Sequence, residues 1–191
     1  MEERLPAPAT FVQATAPRDQ TTDADAAFEE MYRGAWRRVY SFVRCQVAGR
    51  ETAQELASHA FFKAYRQRDH QPAGPDALLW MLRIAHNVLI DHWRVEGRRA
   101  AVTISLDELG EMVGSAANPE TAVVTRERLA MLVRLIGELD ERDRSLLSLR
   151  FAAQRTNREI ASVLAISEAA VSMRLLRALR RLRERMLEAG V

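Results

Sequence analysis

The stretch TNREIASVLAISEAAVSMRLLRALRRLRER, residues 156–185, decides the fold class of this chain. Its first half has the apolar spacing of one short helix, in which Ile160, Ala161 and Leu164 share a face. Ile166 follows and is placed to fill a tight turn. The second half keeps the three- and four-residue apolar spacing of a longer helix. The stretch therefore predicts two helices joined by a tight turn.

The second of these helices has an apolar face and a cationic face. Ser167 precedes it and can cap it, because a serine hydroxyl accepts an orphan backbone N–H. The predicted buried face holds Val171, Leu175, Ala178, Leu179 and Leu182. The opposite face holds Ala169, Ala170, Met173, Arg174, Leu176, Arg177, Arg180 and Arg181. Such a helix, delivered by a tight turn, has the geometry that enters the major groove of DNA.

An ordinary helical hairpin with a solvated charged face is the alternative interpretation of this segment. A solvated face usually mixes charges of both signs. Between Arg174 and Arg183, however, the chain has five arginines and no acidic residue. The charge pattern therefore favours a surface that binds a polyanion.

Charge is unevenly distributed along the chain, although its 191 residues have a formal net charge of only +2. Arginines gather at 94–99 and at 174–185, and an acidic segment from Asp107 to Glu120 lies between them. Two basic patches on either side of an acidic segment suggest two contacts with one polyanion. The length allows one large domain or two small ones.

Several classes of protein and of site are disfavoured by the sequence. Cys45 is the sole cysteine, so it cannot form an internal disulfide, and its apolar neighbours predict a small buried hydrophobe. His86 and His92 fall on different faces of one predicted helix, which argues against a metal site. No phosphate loop, nucleophile elbow or convergent acid–base pair suggests an enzyme. We therefore expect no catalytic residues, no metal ligands and no cofactor.

Membrane insertion and export are also disfavoured. No apolar stretch approaches the roughly 20 residues that a membrane span needs. The N-terminus lacks a basic region followed by an apolar run, which a signal peptide requires. We therefore expect a cytoplasmic protein that does not insert into a membrane.

The apolar pattern predicts an all-α fold in which a flexible linker joins two small helical domains. Residues 1–22 are rich in Pro, Ala and Thr without a period, and we expect a disordered tail. Residues 23–100 are expected to form the first domain. Residues 101–125 have no sustained helical period and are the expected linker. Residues 126–191 are expected to form the second domain, which ends in the helix-turn-helix.

Helix boundaries can be predicted from caps and breaks. In the first domain we expect a helix that begins near Asp23 or Asp25 and is closed by Gly49, and a second from about Glu51. A third is expected over Asp76–Glu96, after the turn-rich segment QPAGP. In the second domain, one helix is expected from Arg126, where the helical apolar period returns. The next is expected to begin near Asp140 or Glu141 and to carry Leu146, Leu147, Leu149 and Phe151.

Five motifs, taken in chain order, resemble those of the bacterial sigma-70 family, in its small extracytoplasmic-function (ECF) class. The resemblance covers about Asp25 to Glu188. Three of the motifs are similar to region 2 of the family: AQELASHAF at 53–61, LLWMLRIAHN at 78–87 and IDHWR at 90–94. The other two are similar to region 4: LDERDR at 139–144 and REIA at 158–161. The resemblance implies a sigma factor that binds core RNA polymerase and directs promoter-specific initiation, without chemistry of its own. Its implied partners are core RNA polymerase and promoter DNA, and an anti-sigma factor is a further candidate.

The resemblance also implies a separate role for each domain. Residues 23–100 would bind core polymerase and would recognise and melt the −10 element. Residues 126–191 would recognise the −35 element. The expected −35 residues are Ser167, Ala170, Ser172, Met173, Arg174, Arg177, Arg180 and Arg181.

Melting requires that unpaired bases be held outside the stack, and the third helix supplies suitable side chains. Asn87 can make paired hydrogen bonds to a base edge, and Asp91 lies one turn on, on the same face. Trp80 and Trp93 can stack or wedge, although a core position for Trp80 and a solvated pair for Asn87 and Asp91 are the alternatives. The expected −10 and melting residues are Trp80, Arg83, Asn87, Asp91, Trp93, Arg94, Arg98 and Arg99.

Core polymerase is expected to contact the second helix. Phe61 is a predicted core residue, whereas Phe62 falls on another face and is the better candidate for an exposed anchor. The expected core-binding residues are Glu55, Leu56, His59 and Phe62.

The chain departs from the family pattern at three places. In the recognition helix, Ser172 and Met173 stand where the family usually has a small polar pair and a basic residue, and Leu176 is expected to point outward. Ser58 and His59 stand where the family usually has a Gln-Glu pair. Ala165 stands in the helix-turn-helix where the family usually has Gly, so it must accept a strained backbone or use a turn with negative φ. The alternative function is a stand-alone helix-turn-helix regulator with a sensing or dimerising N-terminal domain, which would bind its operator tightly without polymerase.

Overall fold

The computed structural model describes residues 20–96 and 122–190. Within these two ranges every regular element is helical and no strand occurs, in agreement with the predicted all-α fold. The predicted tail and linker fall almost wholly outside the described residues. The same is true of Arg98 and Arg99, so these two predicted DNA contacts stay predictions.

Three helices form the N-terminal unit, and each packs against the other two. They are α1 (Gln20–Arg44), α2 (Arg50–Tyr65) and α3 (Asp76–Glu96), with a short 3-10 turn at Arg68–His70 before α3. The predicted bounds of α3 are confirmed. The largest fully buried side chains of this unit are Val39, Phe42, Val43, Met81, Leu82 and Leu89.

The ends of α1 differ from the prediction. The helix begins at Gln20, so Asp23 lies in its first turn, where a carboxylate favours the positive end of the helix dipole, and does not cap it. Asp25 instead forms an ion pair with Arg68. Gly49 does not close α1, which ends at Arg44; it is the N-cap of α2, with extended backbone. Cys45 lies in the turn between them and is half-buried, not fully buried as expected.

The C-terminal unit has four helices and one π-helical turn. They are α4 (Ala122–Gly137), α5 (Glu141–Leu147), the π turn (Ser148–Ala152), α6 (Asn157–Leu164) and α7 (Glu168–Glu188). Helix α4 begins earlier than predicted, within the segment expected to be linker. Asp140 caps α5 as expected, because its side chain accepts a hydrogen bond from the Asp143 N–H at 2.8 Å.

The π turn changes which residues of this segment are buried. Its wider winding interrupts the 3.6-residue period on which the prediction depended. Leu149 remains fully buried, but Phe151 is 55% exposed and does not join the apolar face. The predicted helix that begins near Asp140 was expected to carry Leu149 and Phe151, but α5 ends at Leu147 and both residues lie in the π turn.

The helix-turn-helix is held by two side-chain caps. Thr156 and Glu159 form a capping box on α6, in which the Thr156 N–H donates to Glu159 Oε2 at 2.7 Å. Ser167 caps α7 as predicted, because its Oγ accepts from the Ala170 N–H at 3.1 Å. The predicted buried face of α7 is confirmed at four positions, Val171, Leu175, Ala178 and Leu182.

Leu179 is the exception on that face, because it is 43% exposed. It lies one residue beyond Ala178, and one residue turns a helix by about 100°. That rotation carries Leu179 to the edge of the buried stripe. Its predicted burial is therefore wrong.

The two units contact each other. Helix α1 packs against the π turn, and α3 packs against α6. Buried side chains of both units belong to one continuous hydrophobic cluster. The sequence predicted two domains, but it did not predict this contact.

Ala165 generates the first prediction. It ends α6 in the left-handed region, with φ 54° and ψ 44°, so the strained alternative is the one adopted. A left-handed conformation costs a non-glycine residue about 1–2 kcal/mol. Glycine avoids that cost but loses about 0.5–1 kcal/mol more entropy on folding. We therefore expect Ala165→Gly to raise the free energy of unfolding by about 0.5–1 kcal/mol, measured by urea denaturation.

Ala130→Gly is the matched control, because Ala130 is an exposed residue within α4. The same change in an ordinary helical position should lower the free energy of unfolding by about 1 kcal/mol. Equal destabilisation by both variants would contradict a strained turn at Ala165.

Candidate nucleic-acid interface

The outward face of α3 carries most of the residues predicted to read the −10 element. Trp80, Arg83, Asn87, Asp91 and Arg94 recur at three- and four-residue spacing, so they share one side of the helix. The opposite side is fixed in the core of the N-terminal unit by residues that are fully buried, among them Met81, Leu82, Ala85 and Leu89. Burial of one side therefore orients the other towards solvent.

Asn87 is exposed, and its amide makes no hydrogen bond within the described part of the chain. Asp91 is also exposed, and it pairs with Lys63 Nζ and with Arg94 Nη1, each at 3.5 Å. Exposed pairs of this kind contribute little to stability. Asp91 thus contacts cations on α2 and α3 and does not orient Asn87, whose donors and acceptor are free for a ligand.

The two tryptophans of α3 are neither exposed nor fully buried. Trp80 and Trp93 each pack partly against the core and leave part of the indole at the surface. A wholly core position for Trp80 is thereby excluded. A half-buried indole is held in place by its packing and keeps part of its surface accessible to an unpaired base.

Arg83 differs from its neighbours because it is already bound. Its Nη2 donates to the backbone oxygen of Ser162 at 2.8 Å and to the Ser162 hydroxyl at 3.0 Å. Ser162 lies on α6, in the other unit. Arg83 therefore belongs both to the predicted DNA-binding face and to the contact between units.

A second candidate face lies on α7. Met173, Leu176, Arg177 and Arg180 follow three- and four-residue spacing and are all exposed. Arg177 and Arg180 form no ion pair or hydrogen bond within residues 20–96 and 122–190. The outward position expected for Leu176 is confirmed. This face combines free cations with exposed apolar side chains, a combination that can contact phosphates and thymine methyl groups.

The other predicted −35 residues have different surroundings. The Ser172 Oγ accepts from Asn157 Nδ2 at 3.0 Å and donates to the Glu168 carbonyl at 3.1 Å, so it holds α7 to α6. Arg174 is half-buried and lines a cavity between the units. Arg181 approaches Asp143 at 3.9 Å. Ser167 is occupied as a cap, and Ala170 is half-buried behind it.

The predicted core-binding residues lie together on α2. Glu55, His59 and Phe62 are exposed at positions one and two turns apart, and half-buried Leu56 lies beside them. Phe62 is 59% exposed, whereas Phe61 is only 4% exposed, as expected for an anchor and a core residue. These four side chains form one small surface with an exposed aromatic ring.

Two residues have shifted pKa values, Glu159 in the helix-turn-helix and His86 in the lining of the cavity beside it. Burial alone would raise the pKa of Glu159, but the hydrogen bonds from Thr156 and the Arg155 guanidinium outweigh it and lower the pKa. The capping box therefore keeps a charged carboxylate at neutral pH. Burial lowers the pKa of His86 below its usual value, so this ring is neutral at neutral pH.

Sequence reasoning missed two features of the site. The capping box was readable, because Thr156 and Glu159 have the S/T-x-x-E pattern just before an apolar run. Ser162 carried no signal, because an exposed serine on a short helix has no sequence pattern that would indicate a partner on another helix.

Within the described ranges, no group of side chains could hold a metal ion. None of the helices in these ranges has the length and apolar character of a membrane span.

Comparison with known proteins identifies the family. Sigma-70 region 2 matches residues 27–99, and sigma-70 region 4 matches residues 135–184. The RNA polymerase sigma-H factor of Pseudomonas aeruginosa is 31% identical over 134 residues, which are 67% of this chain and 69% of that protein. The chain belongs to the sigma-70 family. The motifs quoted from both domains lie within these two matched regions.

Other relatives agree with the ECF class of sigma factors. The ECF RNA polymerase sigma factor BldN of Streptomyces coelicolor is 30% identical over 169 residues. These cover 86% of this chain, which spans only 62% of the length of BldN. The sigma factor RpoE of Bartonella quintana, solved with the anti-sigma factor NepR, has a TM-score of 0.63 and 19% identity over 84% of this chain and 96% of that one. The likeness to RpoE supports the fold.

The α7 face generates the second prediction, tested in complex with core polymerase on a library of −35 sequences. We expect Arg177→Ala to weaken promoter binding, because its guanidinium is exposed and unpaired. If Arg177 makes a bidentate contact to guanine, the variant should lose about 1–3 kcal/mol of binding free energy, and the preference for guanine at that base pair should relax. If it binds phosphate, affinity should fall evenly across sequences, and the salt slope should shrink by about one unit.

Arg181→Ala is the comparison, because Arg181 lies on the same helix but faces Asp143. It should weaken binding less than Arg177→Ala does. Unchanged binding and preference in Arg177→Ala would mean that another face of α7 enters the groove.

Proposed function

We propose that this sigma factor binds core RNA polymerase through α2 and reads promoter DNA with α3 and α7. The single observation that carries the proposal is the free, exposed amide of Asn87 on a face shared with Trp80 and Arg94. Such a face offers hydrogen bonding, stacking and cationic contacts, which are the requirements for holding an unpaired base. A protein that reads only duplex DNA also uses hydrogen bonds and cations, but it has no need of a surface on which an unpaired base can stack.

Each domain has its own part in this proposal. The domain of residues 23–100 binds core polymerase through the surface around Phe62 and holds the melted −10 strand along α3. The domain of residues 126–191 inserts α7 into the major groove of the −35 element, with Arg177 and Arg180 towards the DNA. The protein contributes binding and positioning, and it has no catalytic chemistry of its own.

Location and regulation follow from the same proposal. Transcription takes place in the bacterial cytoplasm, where we place this chain. RpoE of Bartonella quintana was solved with an anti-sigma factor. An anti-sigma factor is accordingly a candidate partner for this chain as well.

The stand-alone regulator is disfavoured by the N-terminal domain. Residues 27–99 match sigma-70 region 2, whereas a sensing or dimerising domain has no need of this region. A regulator would also bind its operator tightly by itself. The sigma factor, in contrast, depends on polymerase to set the spacing of its two DNA-reading helices.

Run-off transcription tests the function directly. The chain is added to core polymerase on genomic fragments, and we expect discrete transcripts that core alone does not produce. A gel shift without core is the companion measurement, and it should show only weak duplex binding at near-physiological salt. Absence of transcripts together with tight, specific duplex binding would contradict the proposal and favour the regulator.

Asn87→Ala and Phe62→Ala should separate the two activities of the first domain. We expect Asn87→Ala to bind core polymerase normally but to form fewer open complexes, because its base contact exists only after melting. Phe62→Ala should weaken core binding by more than 1 kcal/mol, the loss typical of a buried aromatic anchor.

The measurements for this pair are the affinity for labelled core polymerase and the permanganate reactivity of the transcription bubble. Each variant is the control for the other. Wild-type affinity and wild-type reactivity in Asn87→Ala would leave Asn87 as a solvated helix residue, without a part in melting.

A further inference from the structure

Two adjoining cavities lie between the units, with volumes of about 260 and 370 Å³. His86 of α3 and Arg142 and Ser145 of α5 line both of them. Sites for small molecules are typically clefts of roughly 300–1,000 Å³, so these cavities have the size of a small-ligand site. None of the three shared residues has a part in the proposed function, which therefore does not account for the cavities.

The charged side chains of the lining are mostly cationic. Arg94 lines the first cavity, Arg174 lines the second, and Arg142 lines both. Among the described residues of the two linings, Glu141 is the one acidic side chain, although Asp91 pairs with Arg94 from outside at 3.5 Å. Like charges held close together repel, and an anion placed between them removes that cost. The lining therefore favours an anionic ligand.

The acids closest to this charge already interact with other groups. Glu141 acts electrostatically on Arg144, a buried residue of the same helix. Asp143, which follows Arg142, interacts in the same way with Arg174. Arg142, in contrast, is exposed and forms no hydrogen bond or ion pair in the part of the chain that the structure describes. Its guanidinium is available to an anion from solution.

Two polar atoms in the lining lack a partner. Ser145 Oγ and His86 Nδ1 are buried and have no hydrogen-bond partner within residues 20–96 and 122–190. Ser145 is only 1% exposed. An unpaired buried polar group is costly, and a ligand that accepts a hydrogen bond from the Ser145 hydroxyl removes this cost. Ser145 thus marks a place where a polar group of a ligand fits.

The rest of the lining is apolar and aromatic. Ile90 and Trp93 line the first cavity, and Leu164 and Ile166 line the second. Trp93 is half-buried, because its indole packs partly on the core. An aromatic ring held at the wall of a cavity can stack with a nucleic-acid base. The lining therefore offers a cationic part for phosphate and an aromatic part for a base.

We propose that the two cavities together form a binding site for a nucleoside phosphate. The phosphates lie between Arg142 and Arg174, whose guanidinium groups can donate paired hydrogen bonds to phosphate oxygens. The Ser145 hydroxyl donates a further hydrogen bond to them. The base lies in the first cavity, against Trp93. This inference goes beyond the proposed function and does not rest on it, because neither promoter DNA nor polymerase takes part in the binding.

Isothermal titration calorimetry of the full chain, without polymerase or DNA, tests the site with ADP, inorganic pyrophosphate and adenosine. We expect one ADP per chain, with a dissociation constant below about 0.1 mM at near-physiological salt. Pyrophosphate should bind at least about 5-fold more weakly, because it lacks a base to stack on Trp93. Adenosine should bind at least about 10-fold more weakly, because it has no charged group for the guanidinium groups to contact.

Arg142→Gln and Ser145→Ala are the informative variants. Arg142 is exposed, so its replacement is expected to fold, and the loss of hydrogen bonds to a charged group should weaken ADP binding at least about 10-fold. Ser145→Ala should weaken ADP binding about 5-fold without lowering the midpoint of thermal unfolding of the free chain, because it deletes an unpaired hydroxyl. A serine with only a structural role would lower that midpoint and leave the affinity unchanged.

Two arginine variants outside the cavities are the controls. Arg128→Gln removes the same charge from an exposed position of α4 that lines neither cavity. Arg177→Gln removes it from the exposed face of α7 that is proposed to contact DNA phosphates. Both variants should bind ADP as tightly as the wild type does.

Three results would overturn the proposed site. One is ADP binding that does not saturate or that has a millimolar dissociation constant. Another is pyrophosphate binding as tight as that of ADP, because the base would then contribute nothing. The third is an equal loss of affinity in Arg142→Gln and in either control, because ADP would then be held by surface charge or by the DNA-binding face.

Discussion

The two-sided character of helix α3 is the constraint on which the rest of the molecule depends. Met81, Leu82 and Leu89 are fully buried against α1 and α2. Burial of each such side chain is worth about 1.5–3 kcal/mol, so rotation of the helix about its axis would be prohibitive. With the rotation fixed, Arg83, Asn87 and Asp91 must face outward. The orientation of the proposed DNA-binding surface is therefore a consequence of core packing.

The outward face of α3 has more than one possible ligand. Asn87 is free, Asp91 is paired with exposed cations, and Arg83 is bound to α6 of the other domain. In α7 the same division recurs, because Arg177 is free while Arg174 lines the cavity between the domains. Residues of both helices that are proposed to read DNA thus lie at the contact between domains.

Local patterns in the sequence predicted what local physics controls. The bounds of α3 were predictable, because a sustained apolar period lies between the break QPAGP and Gly97. The Ser167 cap was predictable from its position before an apolar run. The exposure of Phe151 was not, because a π turn is invisible to a 3.6-residue period. Nor was the bond from Arg83 to Ser162, since it joins residues far apart in sequence through the packing of whole helices.

The central claim is that the outward face of α3 contacts unpaired promoter DNA within the polymerase complex. A photo-cross-linking amino acid at position 87, in holoenzyme bound to a promoter with a pre-melted −10 region, tests it most directly. The account predicts cross-links to the unpaired strand that require core polymerase and vanish when the same promoter is fully duplex and unmelted. Cross-links to polymerase alone, or to duplex DNA regardless of melting, would contradict it.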